Sequence, residues 1–196
     1  MLADSSLDLL FRHARSQNGW RDEPVADALL MQIYDLVKLG PTSANSTPAR
    51  FLFLRTPDAR ERLRPHLDST NVNKVMTAPV TAVIGFDTRF YDLLPRLFPH
   101  NPGARGWFAG AAKEAHAYTT AFRNGSLQGG YFILAARALG LDCGPLSGFD
   151  QDGVDREFWQ GTTVRTNFLC ALGHGDPDKV FPRQPRLAFG EACKLL

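Results

Sequence analysis

Apolar residues recur at helical spacing in two segments near the start of the chain. The first predicts a helix that begins at Ser5 or Ser6 and ends near Gly19. The second predicts a helix over residues 24–39, because Gly40 followed by Pro41 is a usual way to end a helix. A third and much longer helical pattern covers residues 117–139.

Strand-like apolar runs separate the helical segments. The run Arg50–Arg55 is apolar on both faces, which is typical of a central strand. Further strands are predicted over 80–86, 141–143 and 163–172. Because strands interleave with helices, the sequence predicts an α/β architecture whose sheet is covered on both faces.

Shorter segments fill the gaps between these elements. Thr56 followed by Pro57 predicts the start of a helix that ends near residue 67, and short helices are expected over 71–77 and from Asp150 to Trp159. A last short helix is expected from Phe189.

Two segments attract functional interest through their composition. Residues 88–110 have no clean period, and their Trp107 and Phe108 indicate a lid over an apolar site. The long helix contains Gly125, Gly129 and Gly130, which weaken it by about 1 kcal/mol each relative to Ala. Such glycines predict a face where another backbone packs closely.

Composition narrows the class of protein. The chain has 196 residues, of which 44% are hydrophobic and 21% charged, with a formal net charge of +2. These values are ordinary for a soluble globular protein, and they argue against a nucleic-acid partner.

No apolar stretch approaches the length of a membrane span, so we expect a cytoplasmic protein with no membrane partner. Cys143, Cys170 and Cys193 lack metal-ligand spacing and are expected to fill the core, with no metal site.

The familiar catalytic motifs are absent. The chain has no GxSxG elbow, Walker loop, HExxH or GxGxxG sequence, and no histidine pairs with an evident nucleophile. An enzyme without its own nucleophile or acid–base set is best explained by a cofactor that carries the reaction. No protein side chain is therefore assigned as catalytic.

Two turns rich in Gly and Pro offer groups that suit a planar heterocycle. They are GPTSANSTPARF at 40–51 and GPLSGFD at 144–150, and they present hydroxyls, amides and backbone groups. Together they resemble the FMN-binding signature of the nitroreductase family, to which the chain is similar over almost its whole length.

Five segments carry this resemblance, in the family's order. They are ARSQNGW at 14–20, PTSAN at 41–45, the pair Asn71 and Lys74, GPLSGFD, and RQPRL at 183–187. The chain departs from the family pattern at three positions. Ala14 stands where the family often has Arg, Asn18 where it has Arg or Lys, and Ser147 where it often has Glu.

The resemblance implies an α+β nitroreductase-like fold, with a central mixed sheet flanked by helices, in a single FMN-binding domain over residues 1–196. It also implies an intertwined homodimer, with subunit packing expected along the glycine-bearing helix 122–139. Hydride transfer through FMN N5 and NADPH or NADH as co-substrate are implied as well. Lys74 would point towards the nicotinamide cofactor, and a backbone N–H of the second turn would lie near N5. The implied cofactor-binding residues are Arg15, Ser16, Asn18, Pro41, Thr42, Ser43, Asn45, Asn71, Lys74, Pro145, Leu146, Ser147, Gly148, Arg183 and Arg186.

A narrower resemblance concerns the substrate. Stretches such as SQNGWR, LGPTSANSTPAR, FYDLLPRLFPH and GLDCGPLSGFD resemble the malonic semialdehyde reductase, or 3-hydroxypropanoate dehydrogenase, branch that serves pyrimidine degradation. That branch implies reduction of malonic semialdehyde to 3-hydroxypropanoate, with the substrate carboxylate held by Lys74, Arg96 or Arg105. A broad nitroaromatic or quinone reductase is the alternative, and a flavin-binding protein without turnover is a third reading.

Overall fold

The computed structural model describes residues 1–196 and contains one four-stranded sheet. The strands lie in the order β1-β2-β4-β3, and every neighbouring pair is antiparallel. The expectation of a mixed sheet is therefore wrong for this chain, because strand direction depends on long-range connections that local spacing does not reveal. The strands are β1 (Ala49–Leu54), β2 (Val80–Asp87), β3 (Asp142–Leu146) and β4 (Val164–Gly173).

The helices surround this sheet. They are α1 (Asp4–Leu7), α2 (Asp27–Val37), α3 (Pro57–Leu63), α4 (Ser69–Met76), α5 (Leu94–Leu97), α6 (Glu114–Ala138), α7 (Gln151–Phe158) and α8 (Phe189–Ala192). A π-helical turn over Asp8–Arg12 follows α1 directly. The first helix thus ends well before the expected Gly19, and residues 14–20 are extended instead.

Both faces of the sheet are buried, as the sequence predicts. On one face, Ala82 and Ile84 of β2 pack with residues of α2 and α6. On the other face, Val83 packs with residues of α3, α4 and α7. This alternation follows from the two-residue period of a strand, and it fixes which side of each strand faces which helices.

The expectation that the apolar run Arg50–Arg55 forms a central strand is wrong. The sequence of β1 is apolar on both faces, yet β1 lies at an edge of the sheet and pairs only with β2. Phe51 and Phe53 pack towards α2 and α6, while Leu52 and Leu54 pack towards the opposite layer. Two covered faces, rather than two neighbouring strands, explain the apolar run.

The glycines of α6 also differ from expectation. A Cβ at Gly125 would lie 2.8 Å from the Cβ of Phe86, and one at Gly129 would lie 2.5 Å from the ring of Phe168. These glycines therefore allow α6 to approach its own sheet closely. Only Gly130 faces open space within the chain.

Residues 88–110 are more regular than the sequence suggests. They form 3₁₀ turns over Phe90–Leu93 and Pro102–Trp107, with α5 between them. Phe90 and Phe108 are buried in a small cluster with residues of β2 and α6, whereas Trp107 is 47% exposed. The role of this segment as a lid stays a prediction.

Two further observations concern burial. Cys143 and Cys170 are free thiols in the core, as expected, but Cys193 is exposed because it follows the short helix α8 in the exposed C-terminal tail. None of the helices combines the length and the apolar character that crossing a membrane requires.

Candidate functional site at the outer edge of β3

The N-terminal segment 14–20 runs beside the outer edge of β3. The Gln17 N–H donates to the Cys143 carbonyl at 2.9 Å, and Ser16 forms a parallel bridge with Cys143. Gly144 permits this approach, since a Cβ there would lie 2.6 Å from the Gln17 carbonyl oxygen. The first and fourth predicted segments are therefore in direct contact.

Helix α4 joins the same cluster through Trp20 and Lys74. The Trp20 indole N–H donates to the Lys74 carbonyl at 2.9 Å. A Cβ at Gly144 would lie 3.2 Å from both the Lys74 Cδ and the Trp20 ring, so the three residues pack together. Partial burial lowers the pKa of Lys74 from its ordinary value of 10.5, because the charged amine loses solvation.

Asn71 holds the loop after β3. Its side-chain amide donates to the Gly148 carbonyl at 3.1 Å, and the Asp68 N–H donates to the same oxygen at 3.1 Å. The backbone N–H groups of Ser147 and Gly148 donate to no other atom of the chain. The loop thus presents two consecutive unpaired donors beside β3.

The C-terminal arginines complete the cluster. Arg15, Ser16, Asn18, Arg183 and Arg186 line one cavity of about 420 Å³. Arg183 donates to the Ala14 carbonyl at 3.0 Å, and Arg15 donates to the Phe181 carbonyl, so the two ends of the chain are tied together here. We call this cavity the arginine pocket, and we call the four convergent segments the β3-edge site.

The arginine pocket has a strongly one-sided charge. Its lining residues are Phe11, Ala14, Arg15, Ser16, Asn18, Arg137, Phe181, Pro182, Arg183, Gln184 and Arg186, with no Asp or Glu among them. The four arginines direct their hydrogen bonds to backbone carbonyl oxygens instead of carboxylates. Their charge is therefore available to an anion.

Sequence reasoning missed Arg137 and Gly144. Arg137 lies in the last turn of α6, where an arginine has an ordinary explanation as a partner of the helix dipole. More than a hundred residues separate it from Arg15 along the chain, so only the fold reveals their proximity. Gly144 lies inside a predicted flavin turn, but its close contact with Gln17 depends on a segment that the sequence predicts as helical.

The buried thiols take no evident part in chemistry at this site. A hydrogen bond with Cys143, together with burial, raises the pKa of Cys170 well above its ordinary value. The thiolate form required of a nucleophile is therefore disfavoured.

One predicted segment lies elsewhere in the chain. The loop 41–45 packs against α6 and α5, where the Ser43 N–H donates to Asn124 Oδ1 at 2.9 Å. The Asn45 amide donates to the Leu97 carbonyl at 2.8 Å. Ala44 and Asn45 have φ values of 52° and 48°, so the loop holds a left-handed backbone that exposes Ser43 and Asn45.

The loop and the arginine pocket occupy diagonal corners of the sheet. The loop leads into β1, whose Ala49 lies opposite Phe86 near the end of β2. β3 begins with Asp142 opposite Gly173 at the end of β4. Because β2 and β4 are antiparallel, these are opposite ends as well as opposite edges. One chain therefore brings together four of the five predicted segments.

The β3-edge site offers binding rather than acid–base chemistry. It combines an acid-free group of arginines, the amide of Asn18, the hydroxyl of Ser16, a half-buried lysine and two free backbone donors. Such a donor set suits an anionic ligand with a planar polar part.

Comparisons with known proteins give one consistent result. The model of the Nitroreductase family matches residues 12–174. A relative from Cupriavidus pinatubonensis, named as a candidate NADH dehydrogenase/NAD(P)H nitroreductase, is 60% identical over 195 residues, with 100% of both chains covered.

Solved structures agree at the level of the fold. A candidate nitroreductase from Bacillus subtilis has a TM-score of 0.89 at 20% identity, covering 99% of this chain and 100% of that chain. A candidate nitroreductase from Exiguobacterium sibiricum, solved in complex with FMN, has a TM-score of 0.86 at 19% identity, covering 100% and 99%.

Proposed function

The chain belongs to the nitroreductase family, and we propose on that basis that it is an FMN-dependent oxidoreductase that uses NADPH or NADH. The observation that carries this proposal is the arginine pocket, because it joins the predicted segments 14–20 and 183–187 around one acid-free cavity. The Exiguobacterium relative of similar fold binds FMN, which supports the same assignment.

The donor set fits the phosphate of FMN. A dianionic phosphate needs several cationic donors and no carboxylate nearby, and the arginine pocket provides both conditions. Arg15, Arg183 and Arg186 would hold the phosphate, while Ser16 and Asn18 would donate to neighbouring polar groups of the flavin. The planar guanidinium fork suits bidentate contact with phosphate oxygens.

The loop after β3 fits the flavin ring. The unpaired N–H groups of Ser147 and Gly148 are free to donate to ring acceptors, and Asn71 fixes the loop by holding the Gly148 carbonyl. Pro145 and Leu146 would lie along the ring, and Lys74 would contact its polar edge or the nicotinamide cofactor. FMN bound there would supply hydride transfer between the nicotinamide cofactor and the acceptor.

We further propose that two copies of the chain complete each site. Pro41, Thr42, Ser43 and Asn45 belong to the predicted FMN contacts, yet they lie at the diagonal corner of the sheet from the arginine pocket. A homodimer related by two-fold symmetry would bring the loop of one protomer to the β3 edge of its partner, twice. The separation of loop 41–45 from the other predicted FMN contacts within one chain supports this arrangement, because a second chain can supply the missing contacts.

For the acceptor, we propose malonic semialdehyde, whose aldehyde carbon would receive the hydride and whose oxygen would take a proton from solvent. Of the three cations considered for its carboxylate, Arg105 already pairs with Asp92 at 2.9 Å. Arg96 lines a cavity with Asn45, so in the proposed homodimer it would approach the composite site together with the loop of the other protomer. Lys74 lies in the β3-edge site within the same chain and is partly buried there, so we propose it as the first partner of the substrate carboxylate and Arg96 as the second.

A broad nitroaromatic or quinone reductase is the second candidate. The name of the Cupriavidus relative, which shares 60% identity, favours this reading. It requires the same flavin site but no cation reserved for a substrate carboxylate.

One anaerobic experiment distinguishes these functions. The purified protein is expected to be yellow, to bleach with NADPH or NADH, and to regain its colour when malonic semialdehyde is added. Recovery of colour only with a nitroaromatic or a quinone would select the broad reductase. Flavin that neither nicotinamide cofactor bleaches would indicate a binding protein, and a protein that cannot bind FMN would overturn the whole proposal.

A further inference from the structure

One residue that lines the arginine pocket, Ala14, is uncharged although the family often has Arg at this position. Ala14 and Arg15 are adjacent in the pocket wall, but only Arg15 carries a charge. The pocket nevertheless contains four guanidinium groups, because Arg137 reaches it from α6. Arg137 is the member of this group that comes from neither chain terminus.

Most N–H donors of the Arg137 guanidinium have no acceptor within the chain. One of its NH groups donates to the Leu10 carbonyl at 3.0 Å, in the π-helical turn that precedes the pocket. A guanidinium carries five N–H donors, so most of its hydrogen-bonding capacity has no partner in the chain. No carboxylate lines the pocket to neutralise it.

We infer that Arg137 is a phosphate-binding residue that supplies the cation missing at Ala14. The inference deepens the proposed function and rests on it, since the phosphate is that of FMN. Arg137 lies on the long helix α6 and is fixed by Leu10, so it presents its charge from a rigid element. Arg15, Arg183 and Arg186 lie instead on extended or irregular segments near the chain ends.

If Arg137 only stabilised the helix, its replacement would have a different effect on flavin binding. As a cation in the last turn of α6, Arg137 would stabilise the helix without regard to any ligand. Its loss would then weaken the protein and would affect all flavins equally. Comparison of FMN with riboflavin, which lacks the phosphate, separates the two roles.

The test titrates the flavin-free full-length protein with FMN and with riboflavin, following quenching of flavin fluorescence. In Arg137→Gln, we expect FMN affinity to fall about 10- to 100-fold, as for loss of a charge-assisted hydrogen bond, while riboflavin affinity stays within about threefold. Arg137→Lys should retain part of the FMN preference. The matched control is Arg123→Gln, on an exposed face of the same helix and outside the pocket.

A rescue variant makes the assignment specific. Adding Ala14→Arg to Arg137→Gln should restore most of the FMN affinity, because residue 14 lines the same cavity. An unchanged ratio of FMN to riboflavin affinity in Arg137→Gln would overturn the inference and leave the proposed function standing. Equal affinity of the wild-type protein for FMN and riboflavin would overturn the phosphate assignment of the pocket, and absence of binding to either would overturn the proposed function as well.

Discussion

The side-chain amide of Asn71 donates to the Gly148 carbonyl at 3.1 Å and thereby joins helix α4 to the loop after β3. Seventy-seven residues separate these partners along the chain, so the hydrogen bond depends on the complete fold. It fixes the segment whose free N–H groups are proposed to face the flavin.

Asn71→Ala should lower the free energy of unfolding by about 1 kcal/mol and weaken FMN binding, because the Gly148 carbonyl loses one of its two donors. Urea denaturation and FMN titration measure the two effects. Asn73→Ala, at an exposed position on the same helix, is the control; it should leave FMN binding unchanged and should not lower the free energy of unfolding, because Ala favours a helix over Asn. Equal behaviour of the two variants would show that the contact does not position the loop.

Gly144→Ala should destabilise the protein by about 1–3 kcal/mol. The added Cβ would lie 2.6 Å from the Gln17 carbonyl oxygen, which belongs to backbone and cannot rotate away. Gly130→Ala is the matched control, since its Cβ would meet nothing in the chain and Ala favours a helix by about 1 kcal/mol. Thermal and urea unfolding of both variants test the contact, and a neutral Gly144→Ala would contradict the close approach of segment 14–20 to β3.

Lys74 should make the stability of the flavin-free protein depend on pH in alkaline solution. Burial lowers its pKa in the folded state below 10.5, so the unfolded chain binds more protons between the two pKa values. The free energy of unfolding therefore gains a contribution that rises with pH as the window just below 10.5 is crossed.

Lys74→Met should remove that rise. The difference in unfolding free energy between wild type and Lys74→Met is measured at several pH values from 7 to about 10.5. It should favour the variant most at the lowest pH and decrease as the pH rises. Lys194→Met, in the exposed tail, is the control. A difference that does not vary with pH would show that burial of Lys74 imposes no penalty on its charge.

The sequence predicted local features of the fold well. Thr56 accepts a hydrogen bond from the Ala59 N–H at 3.1 Å and Pro57 opens α3, as their order along the chain indicates. Such a signal depends on neighbours within one helical turn. The same is true of β2, whose successive side chains face the two layers in alternation, so that the strand is buried on both faces.

Thr56→Ala should accordingly lower the free energy of unfolding by about 1 kcal/mol, whereas Thr56→Ser should preserve most of the cap. Urea denaturation measures both variants. Equal losses in the two would indicate that the methyl group of Thr56, not its hydroxyl, stabilises the start of α3.

Features set by long-range contacts could not be predicted in the same way. The direction of each strand, the position of β1 at an edge and the contact of Gly125 with Phe86 all depend on how distant segments meet. The extended path of residues 14–20 was also missed, because apolar spacing continued past the π-helical turn that ends at Arg12.

The candidate site likewise combines features that short motifs predict with features that depend on the complete fold. Its segments were recognised from short motifs, and the fold brings four of them together, but Arg137 has no motif of its own. The separation of loop 41–45 from the other segments depends on the order of strands, which the sequence does not specify locally.

Subunit complementation tests the central claim most directly, namely that each FMN site combines the β3 edge of one chain with loop 41–45 of another. Arg183→Gln damages the first component and Asn45→Ala the second, so each homodimer should bind FMN poorly. Co-expression should yield heterodimers with one intact and one doubly damaged site, and with random pairing roughly a quarter of all sites should regain FMN affinity. If the two variants together recover no more FMN than either alone, the site does not combine these components from two chains.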